Sequence, residues 1–512
     1  MAAADAVLAT DGSLAVQEKA KLRRVLGRFD LVFFTACAIV GLDSVAQAAE
    51  AGAQAITWLL ISLVLFLIPY GMLTAELGAA FPVEGGPYEW ARMSFGRAAG
   101  AVTAILYWLS NPLWVGGTLS AATIAALNTF VLSKPMSTTW EIVVALAFIW
   151  ITVGIAVIAF RIGKWGPSIG TFVKIAVVAI FTALFIAFLV KHGRPAGAST
   201  AADLKPSLDG FLTAIGIMVF LWVGFELSNG ASEEMRNPKR DVPRMIVSSG
   251  IIAAVLYGLV ILGIVLVIPS KNLSNVSGFV DAYSSVSGGV LHSHPLDVVF
   301  AVLIILTLIG SGSVWLEGAD RTQAIAALDG AAPGWMGRFT SFGTPIAVNL
   351  SSGVVASAMA IIVLRATHGS LGNFFSVMLA LTISSTTLSY LFIFPALTIL
   401  RRRYPNAHRP YRVPGGAVGA WAAVVITELF VIVTVVTLVW PGAINALFGQ
   451  SYSIEASWGV SRAFFEWTTI GALAVMVALG LVFWALGERK RRAGVLGIEI
   501  SAEMLAQSGP AS

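Results

Sequence analysis

The stretch AIVGLDSVAQ, residues 38–47, places a glycine and an aspartate inside a long apolar segment. Apolar runs flank this stretch on both sides, so a continuous membrane-spanning helix would be the simple expectation. A charged side chain in a bilayer costs roughly 2.5–3.5 kcal/mol and therefore usually faces a cavity or a partner. We predict that Gly41-Leu42-Asp43 interrupts the helix and that the interruption has a functional purpose.

The composition of the whole chain points to a membrane protein. Of its 512 residues, 57% are hydrophobic and 12% are charged, and the mean hydropathy is +0.85. A soluble globular protein carries about 25% charged residues, so this chain has too few charges to cover itself in water. The net charge of +5 is explained by basic loops beside a membrane and gives no reason to expect nucleic-acid binding.

A spanning helix needs about 20 mainly apolar residues, and the sequence contains twelve such segments. They cover residues 30–50, 54–78, 98–130, 140–160, 167–190, 210–232, 245–269, 296–326, 345–365, 371–400, 419–440 and 467–487. If both termini are cytoplasmic, the loops on that side hold most of the lysines and arginines, as the positive-inside rule requires. We therefore predict an all-α, multi-pass protein of the cell (plasma or inner) membrane with both termini in the cytoplasm.

A second interruption repeats the first. The sixth segment contains FLWVGFELSNG, residues 220–230, in which Gly224-Phe225-Glu226 has the same glycine-x-acid spacing. Interrupted helices at matching positions of two five-helix halves indicate a transporter's substrate site. Such a break frees N–H groups that suit a carboxylate and C=O groups that suit an ammonium, and an α-amino acid offers both. The alternative is that both glycines serve only close helix packing.

Three motifs carry a family resemblance. GFELSNGASEEMRNPKRDVPRMI (224–246), FPVEGGPYEWARMSFG (81–96) and ALDGAAPGWMGRFTSFGTP (327–345) occur in the order seen in amino acid–polyamine–organocation permeases. The resemblance covers about residues 28–405. It implies a five-plus-five inverted-repeat (LeuT-like) core with two added C-terminal helices, alternating access, and a substrate site near the bilayer midplane.

This fold divides the chain into five parts. We expect a cytoplasmic tail over residues 1–29, a ten-helix transport core over 30–400, a cytoplasmic loop over 401–418, helices 11 and 12 over 419–487, and a cytoplasmic tail over 488–512.

The resemblance also assigns candidate site residues. Gly41-Leu42-Asp43 falls where many members have Gly-Ser-Gly, the helix-one break that holds the substrate carboxylate. Asp43 departs from that pattern, because an aspartate repels a carboxylate and attracts an amine. Some polyamine carriers are similar in having an acid near this break. The predicted substrate site comprises Gly41, Leu42, Asp43, Asn111, Phe220, Val223, Gly224, Phe225 and Trp315.

Several of these residues have a role implied by the family. Phe220 falls where the arginine–agmatine antiporter has an aromatic gate, and Trp315 falls where this and the glutamate–GABA antiporter carry a tryptophan in helix eight. A tryptophan face binds an ammonium with about 0.5–2 kcal/mol. Packing in the core or against lipid is the alternative for both. Glu226 matches a glutamate linked to proton coupling in the arginine–agmatine antiporter.

Lys174 is a further intramembrane charge. In some sodium-independent relatives a helix-five lysine replaces a sodium ion between helices one and eight, and Lys174 is similar in position. The alternative is that Lys174 extends its ammonium to the inner membrane surface. Glu317 is expected either to pair with Lys174 or to serve the pocket directly.

Together these features predict a secondary transporter for an amino acid or related amine, driven by proton symport or substrate exchange. A polyamine or diamine carrier is the alternative within the class, and a receptor or channel on the same fold is the alternative outside it. The sequence contains no Walker-type loop of the kind that a primary pump uses to bind ATP. The spacing of the histidines does not suggest a metal site, and the single cysteine, Cys37, does not suggest a metal site or a cofactor either. The expected partners are the substrate, protons or a counter-substrate, and the lipid bilayer.

Overall fold

A computed structural model gives the fold. It describes residues 14–492 except residue 20 and residues 23–25, 163–164, 270–271, 273–275, 368, 450 and 456–459. The predicted tails, residues 1–29 and 488–512, lie largely outside the described residues.

The described residues form an all-α protein, as predicted. The helices are α1a (Arg28–Ile39), α1b (Val45–Ala49), α2 (Gln54–Ala80), α3 (Arg97–Phe130), α4 (Thr138–Ile162), α5 (Trp165–His192), α6a (Leu208–Trp222), α6b (Leu227–Glu234, a 3₁₀ helix), α7 (Pro238–Val267), α8 (His294–Leu328), α9 (Ile346–Ala366), α10 (Leu371–Arg403), α11 (Gly416–Val439) and α12 (Arg462–Arg492). Two shorter helices, Gly86–Phe95 and Gly278–Val290, lie in connections.

Within the described residues, eleven helices are long and apolar enough to cross a membrane. The first predicted segment is not among them, because it is divided into α1a and α1b and neither part reaches that length. The predicted count of twelve spanning helices is therefore not confirmed by length alone. The missing one is the first of the two segments for which the sequence predicts a break.

Both predicted interruptions are present in the backbone. After α1a, Val40 leaves the helical conformation and the chain turns through residues 41–44 before α1b begins. After α6a, Val223 is extended and Gly224 has φ of +122°, a conformation that L-residues with a side chain rarely adopt. The two halves of the core, α1–α5 and α6–α10, thus each begin with a broken helix, which is the arrangement expected of an inverted repeat.

The two broken helices lie at the centre of the bundle. Helix α1a packs against α5, α7 and α8, while α6a packs against the first half of α2 and against α11. Helices α3 and α10 are the most buried of the spanning helices, and α12 is the least buried. The breaks are therefore surrounded by protein, which is the only setting in which irregular backbone is stable at membrane depth.

One side of the molecule is closed by buried ion pairs. We call it the basic side; it carries the ends of α2 and α8, the whole of α6b and the start of α7. Arg321, which is fully buried, pairs with Glu84 at 2.9 Å and with Glu234 at 3.1 Å. The Leu26 amide also donates to the carbonyl of Glu234, the last residue of α6b, and the Leu26 carbonyl accepts from the Arg236 amide, both at 3.0 Å. These contacts link α8, α6b and the connection after α2 into one closed layer.

Candidate functional site

A tyrosine side chain binds the backbone groups that are freed at the break in helix one. The Tyr257 hydroxyl, from α7, accepts a 2.9 Å hydrogen bond from the Gly41 amide and donates one of 2.5 Å to the Ile39 carbonyl. A single side chain thereby satisfies a freed donor and a freed acceptor of the interrupted helix. The sequence alone does not reveal this role, because Tyr257 lies more than 200 residues away from the break.

Asp43 lies in this break and is almost fully buried. Its Oδ2 accepts hydrogen bonds from Trp114 Nε1 at 2.8 Å and from Thr118 Oγ1 at 2.7 Å, both on the same stretch of α3. Its Oδ1 has no hydrogen-bond partner, and no described cation lies within ion-pair distance of the carboxylate. The site therefore contains a buried carboxyl oxygen that accepts no hydrogen bond and forms no ion pair within the described part of the chain.

Two further aromatic rings pack against Trp114, the tryptophan that donates to Asp43. The Trp114 ring lies 5.9 Å from that of Trp315 and 6.1 Å from that of Phe220, in edge-to-face arrangements. Trp315 Nε1 donates to the Ala38 carbonyl at 2.9 Å. A Cβ on Gly224 would lie 3.1 Å from the Trp315 ring, so the glycine allows the ring to approach the second break. We call Trp114, Phe220 and Trp315 the aromatic wall.

Asn111 fixes one member of the aromatic wall. Its Nδ2 donates to the Trp315 carbonyl at 2.7 Å, while its Oδ1 has no partner. The structure thus brings together Gly41, Asp43, Asn111, Phe220, Gly224 and Trp315 from the predicted substrate site. Leu42 and Val223 are buried within the two breaks. Phe225 belongs to the second break, but its side chain packs against Tyr70 and lines a groove between α2 and α7, away from the aromatic wall.

Glu226 is enclosed by three tyrosines. Its carboxylate accepts hydrogen bonds from Tyr70, from Tyr107 at 2.9 Å and from Tyr390 at 2.8 Å. The Tyr70 hydroxyl also accepts from the amides of Gly224 and Phe225, at 3.0 and 3.1 Å, so it connects the carboxylate to the break of helix six. All donors to Glu226 are neutral, which leaves its protonation open to change without breaking an ion pair.

Lys174 is fully buried between three helices. Its Nζ donates to the Cys37 carbonyl of α1a and, at 2.6 Å, to Ser311 Oγ of α8. An ammonium that joins these two helices has the position expected of a sodium substitute, and a fully buried side chain does not extend to the membrane surface. Lys174 and Glu317, for which pairing is one of two expected roles, form no ion pair in this conformation. Glu317 lies six residues beyond Ser311 along α8, roughly 9 Å nearer the basic side.

A pocket opens on the side opposite the basic side. It has a volume of about 330 Å³, and its lining includes Glu50 after α1b, Asp209 at the start of α6a and Ile217 within α6a. Ile217 lies one helical turn before Phe220. The rest of the lining comes mainly from α10, α11 and the segment that follows α11, and neither Asp43 nor a residue of the aromatic wall is part of it.

Sequence reasoning missed the residues that hold these groups in place. Thr118 contacts Asp43, Tyr257 holds the first break, and Tyr70, Tyr107 and Tyr390 enclose Glu226. Hydroxyl residues within apolar helices carry no signal of their own, because their role depends on which helix they face. Among the described residues, no three His, Cys, Asp or Glu side chains come together as a metal site.

Comparison with known proteins extends these observations. A family model described as "Amino acid permease" matches residues 26–454. An uncharacterized transporter of Legionella pneumophila is 29% identical over 403 residues, which cover 77% of this chain and 85% of that protein. A protein of Lactococcus lactis described as a probable agmatine/putrescine antiporter is 30% identical over 390 residues, which cover 76% of this chain and 82% of that protein.

Solved structures show the same fold. The manganese transporter of Eremococcus coleocola, solved with an aromatic bis-isothiourea substituted compound, superposes with a TM-score of 0.56 at 14% identity. The superposition covers 96% of this chain and 99% of the manganese transporter's chain. The broken first and sixth helices, the buried polar groups at both breaks and the family match over most of the chain agree with one another. The chain belongs to the amino acid permease family and is a multi-pass membrane transporter.

Proposed function

We propose that this transporter exchanges an amine-bearing substrate, an amino acid or a related amine, and that Asp43 binds the substrate ammonium. The observation that carries the proposal is the Oδ1 of Asp43, which is buried, has no hydrogen-bond partner and faces no described cation. Two neutral donors bind the other oxygen, but an isolated buried carboxylate remains costly unless a cation compensates it. A substrate ammonium is the cation that this site lacks.

The aromatic wall supports the same substrate chemistry. Its rings present π faces and edges beside the carboxylate, and an ammonium there gains cation–π attraction in addition to the ion pair. Lys174 forms no ion pair with Asp43, because its ammonium donates to the Cys37 carbonyl and the Ser311 hydroxyl. In this proposal Lys174 takes the place of a coupling sodium ion, and Glu226 takes up and releases a proton as helix six moves.

A diamine or polyamine carrier is the alternative within this class. Two observations favour it. The helix-one break binds the substrate carboxylate in many relatives, and this chain places Asp43 at that break. In addition, the Lactococcus relative is described as an agmatine/putrescine antiporter. We further propose that the protein lies in the plasma or inner membrane with its termini in the cytoplasm, since the start of α1a and the end of α12 lie on the basic side.

Transport into proteoliposomes tests the proposal. Purified protein is reconstituted with or without an unlabelled internal substrate, and uptake of labelled amino acids, agmatine and putrescine is measured. An exchanger accumulates label only in vesicles that contain counter-substrate, whereas a proton symporter also responds to an imposed pH gradient without it. Saturable uptake of an amine-bearing compound supports the proposal. Uptake that never saturates would indicate a channel, and the absence of uptake for every compound in the panel would favour a receptor.

A further inference from the structure

A second cavity lies on the membrane-facing surface, outside the substrate site. It is a groove of about 330 Å³ between α2 and α7, and its walls are almost entirely apolar. Gly71 and Gly250 both line the groove; a Cβ on Gly71 would lie 3.0 Å from the Ile246 side chain, so this glycine allows α7 to approach α2 closely. The rim residues Ile68, Val247 and Ile251 are 42%, 63% and 61% exposed, so the groove opens toward the surrounding hydrocarbon.

The length of the groove matches one leaflet of a bilayer. Along α2 it runs from Leu63 to Ala75, and along α7 from Ala254 back to Pro243 near the basic side. Twelve residues of α-helix span roughly 18 Å. Half of the hydrocarbon core of a bilayer is about 15 Å thick. An acyl chain lying in the groove would therefore reach from the headgroup level on the basic side to the centre of the membrane.

Unpaired positive charges lie at the basic end of the groove. Arg240 and Arg244 are exposed and precede Val247 by about two turns and one turn of α7, respectively. Arg412 follows Tyr411, which closes the groove at this end, and is exposed as well. In the described part of the chain, none of these three arginines forms an ion pair. The groove thus combines an apolar slot of acyl-chain length with a cationic end at headgroup depth.

We propose that this groove binds an anionic phospholipid from the leaflet on the basic side. One acyl chain fills the slot between Gly71 and Gly250, and the phosphate of the headgroup binds Arg240 and Arg244. A sterol satisfies only the apolar part of this arrangement, because the arginines call for an anionic headgroup at the interface.

The groove also reaches the break of helix six. The Phe225 ring forms part of its wall, and a Cβ on Gly250 would lie 3.4 Å from that ring, which is ordinary contact distance. Phe225 in turn packs against Tyr70, the residue that binds both Glu226 and the amides of the break. A bound acyl chain would thereby support one side of the break from the membrane.

Native mass spectrometry of the full-length protein tests the proposal. The fraction of protein carrying one lipid is titrated with phosphatidylglycerol and with phosphatidylcholine of identical acyl chains. The wild type is expected to prefer phosphatidylglycerol. Gly250→Leu fills the slot and should abolish retention of both lipids. Arg240→Gln and Arg244→Gln should each reduce the preference for phosphatidylglycerol roughly fivefold.

Two matched controls separate the groove from general effects. Gly258→Leu makes the same change on α7 outside the groove, where nothing lies within 4 Å of an added Cβ. Arg365→Gln removes an exposed arginine from the opposite side of the molecule. Both should bind lipid like the wild type. A wild type that binds the two lipids equally, or a Gly250→Leu variant that retains phosphatidylglycerol, would overturn the proposal. Neither result depends on the identity of the transported substrate.

Discussion

Replacement of Asp43 by asparagine tests the proposed ammonium site most directly. Asparagine has the same shape and keeps one oxygen that accepts from Trp114 Nε1 or Thr118 Oγ1, so the break should keep its geometry. What is lost is the negative charge. In the wild type, two hydrogen bonds from neutral groups contribute about 1 kcal/mol each, which does not offset the several kcal/mol needed to bury a carboxylate. The substrate ammonium is expected to offset the rest.

The expected loss of affinity follows from this balance. Truncating one partner of a buried charge pair costs about 2–5 kcal/mol. Because asparagine still offers a carbonyl oxygen to the ammonium, we expect the lower part of this range, a weakening of roughly 30- to 150-fold. The loss should apply to amine-bearing ligands only. A deaminated analogue of the same substrate should bind wild type and Asp43→Asn with nearly equal, weak affinity.

The assay is equilibrium binding to purified protein, by calorimetry or scintillation proximity, for a substrate and its deaminated analogue. Asp320→Asn is the matched control, because Asp320 is another buried aspartate held by neutral donors, Asn349 at 2.6 Å and Ser352 at 2.8 Å, away from the breaks. It should leave ligand selectivity unchanged. Equal loss for both ligands, with partial rescue by a paired Lys174→Gln change, would show that Lys174 compensates Asp43. Unchanged affinity for every ligand would remove Asp43 from the site.

Three further predictions follow from the buried polar groups. Because the Lys174 ammonium joins α1a to α8, replacing sodium by choline at constant pH should leave uptake unchanged; a strong loss would show that sodium is required. Glu226→Gln should flatten the pH dependence of transport and leave substrate binding detectable, whereas a wild-type pH profile would exclude Glu226 from proton coupling. Arg321→Gln leaves Glu84 and Glu234 buried without their cation and should weaken closure of the basic side. The alkylation rate of Cys37, the single and fully buried cysteine, should then rise by about tenfold or more, and an unchanged rate would contradict a gating role.

Much of the fold could be predicted from the sequence, because lipid solvent imposes simple rules. Apolar segments of spanning length, basic residues on alternate loops and a glycine-x-acid interruption in the first and sixth segments are one-dimensional signals. The same rules identified Asp43, Glu226 and Lys174 as charged residues within the bilayer, where a charge is costly and usually faces a cavity or a partner. Helix boundaries from the structure differ from the predicted ones by only a few residues in most cases.

The partners of those charges were decided by tertiary structure alone. Nothing in the sequence indicates that Tyr257 holds the first break, that three tyrosines from α2, α3 and α10 enclose Glu226, or that Lys174 binds a carbonyl of α1a and does not bind Glu317. The sequence likewise does not indicate that Arg321 is buried between Glu84 and Glu234, which come from two distant segments. The physical reason is that each helix presents its residues at 100° intervals, so the rotation and depth of packing select which side chains meet. Hydrophobicity determines that a segment crosses the membrane, whereas the close packing of neighbouring helices determines which of its polar groups find one another.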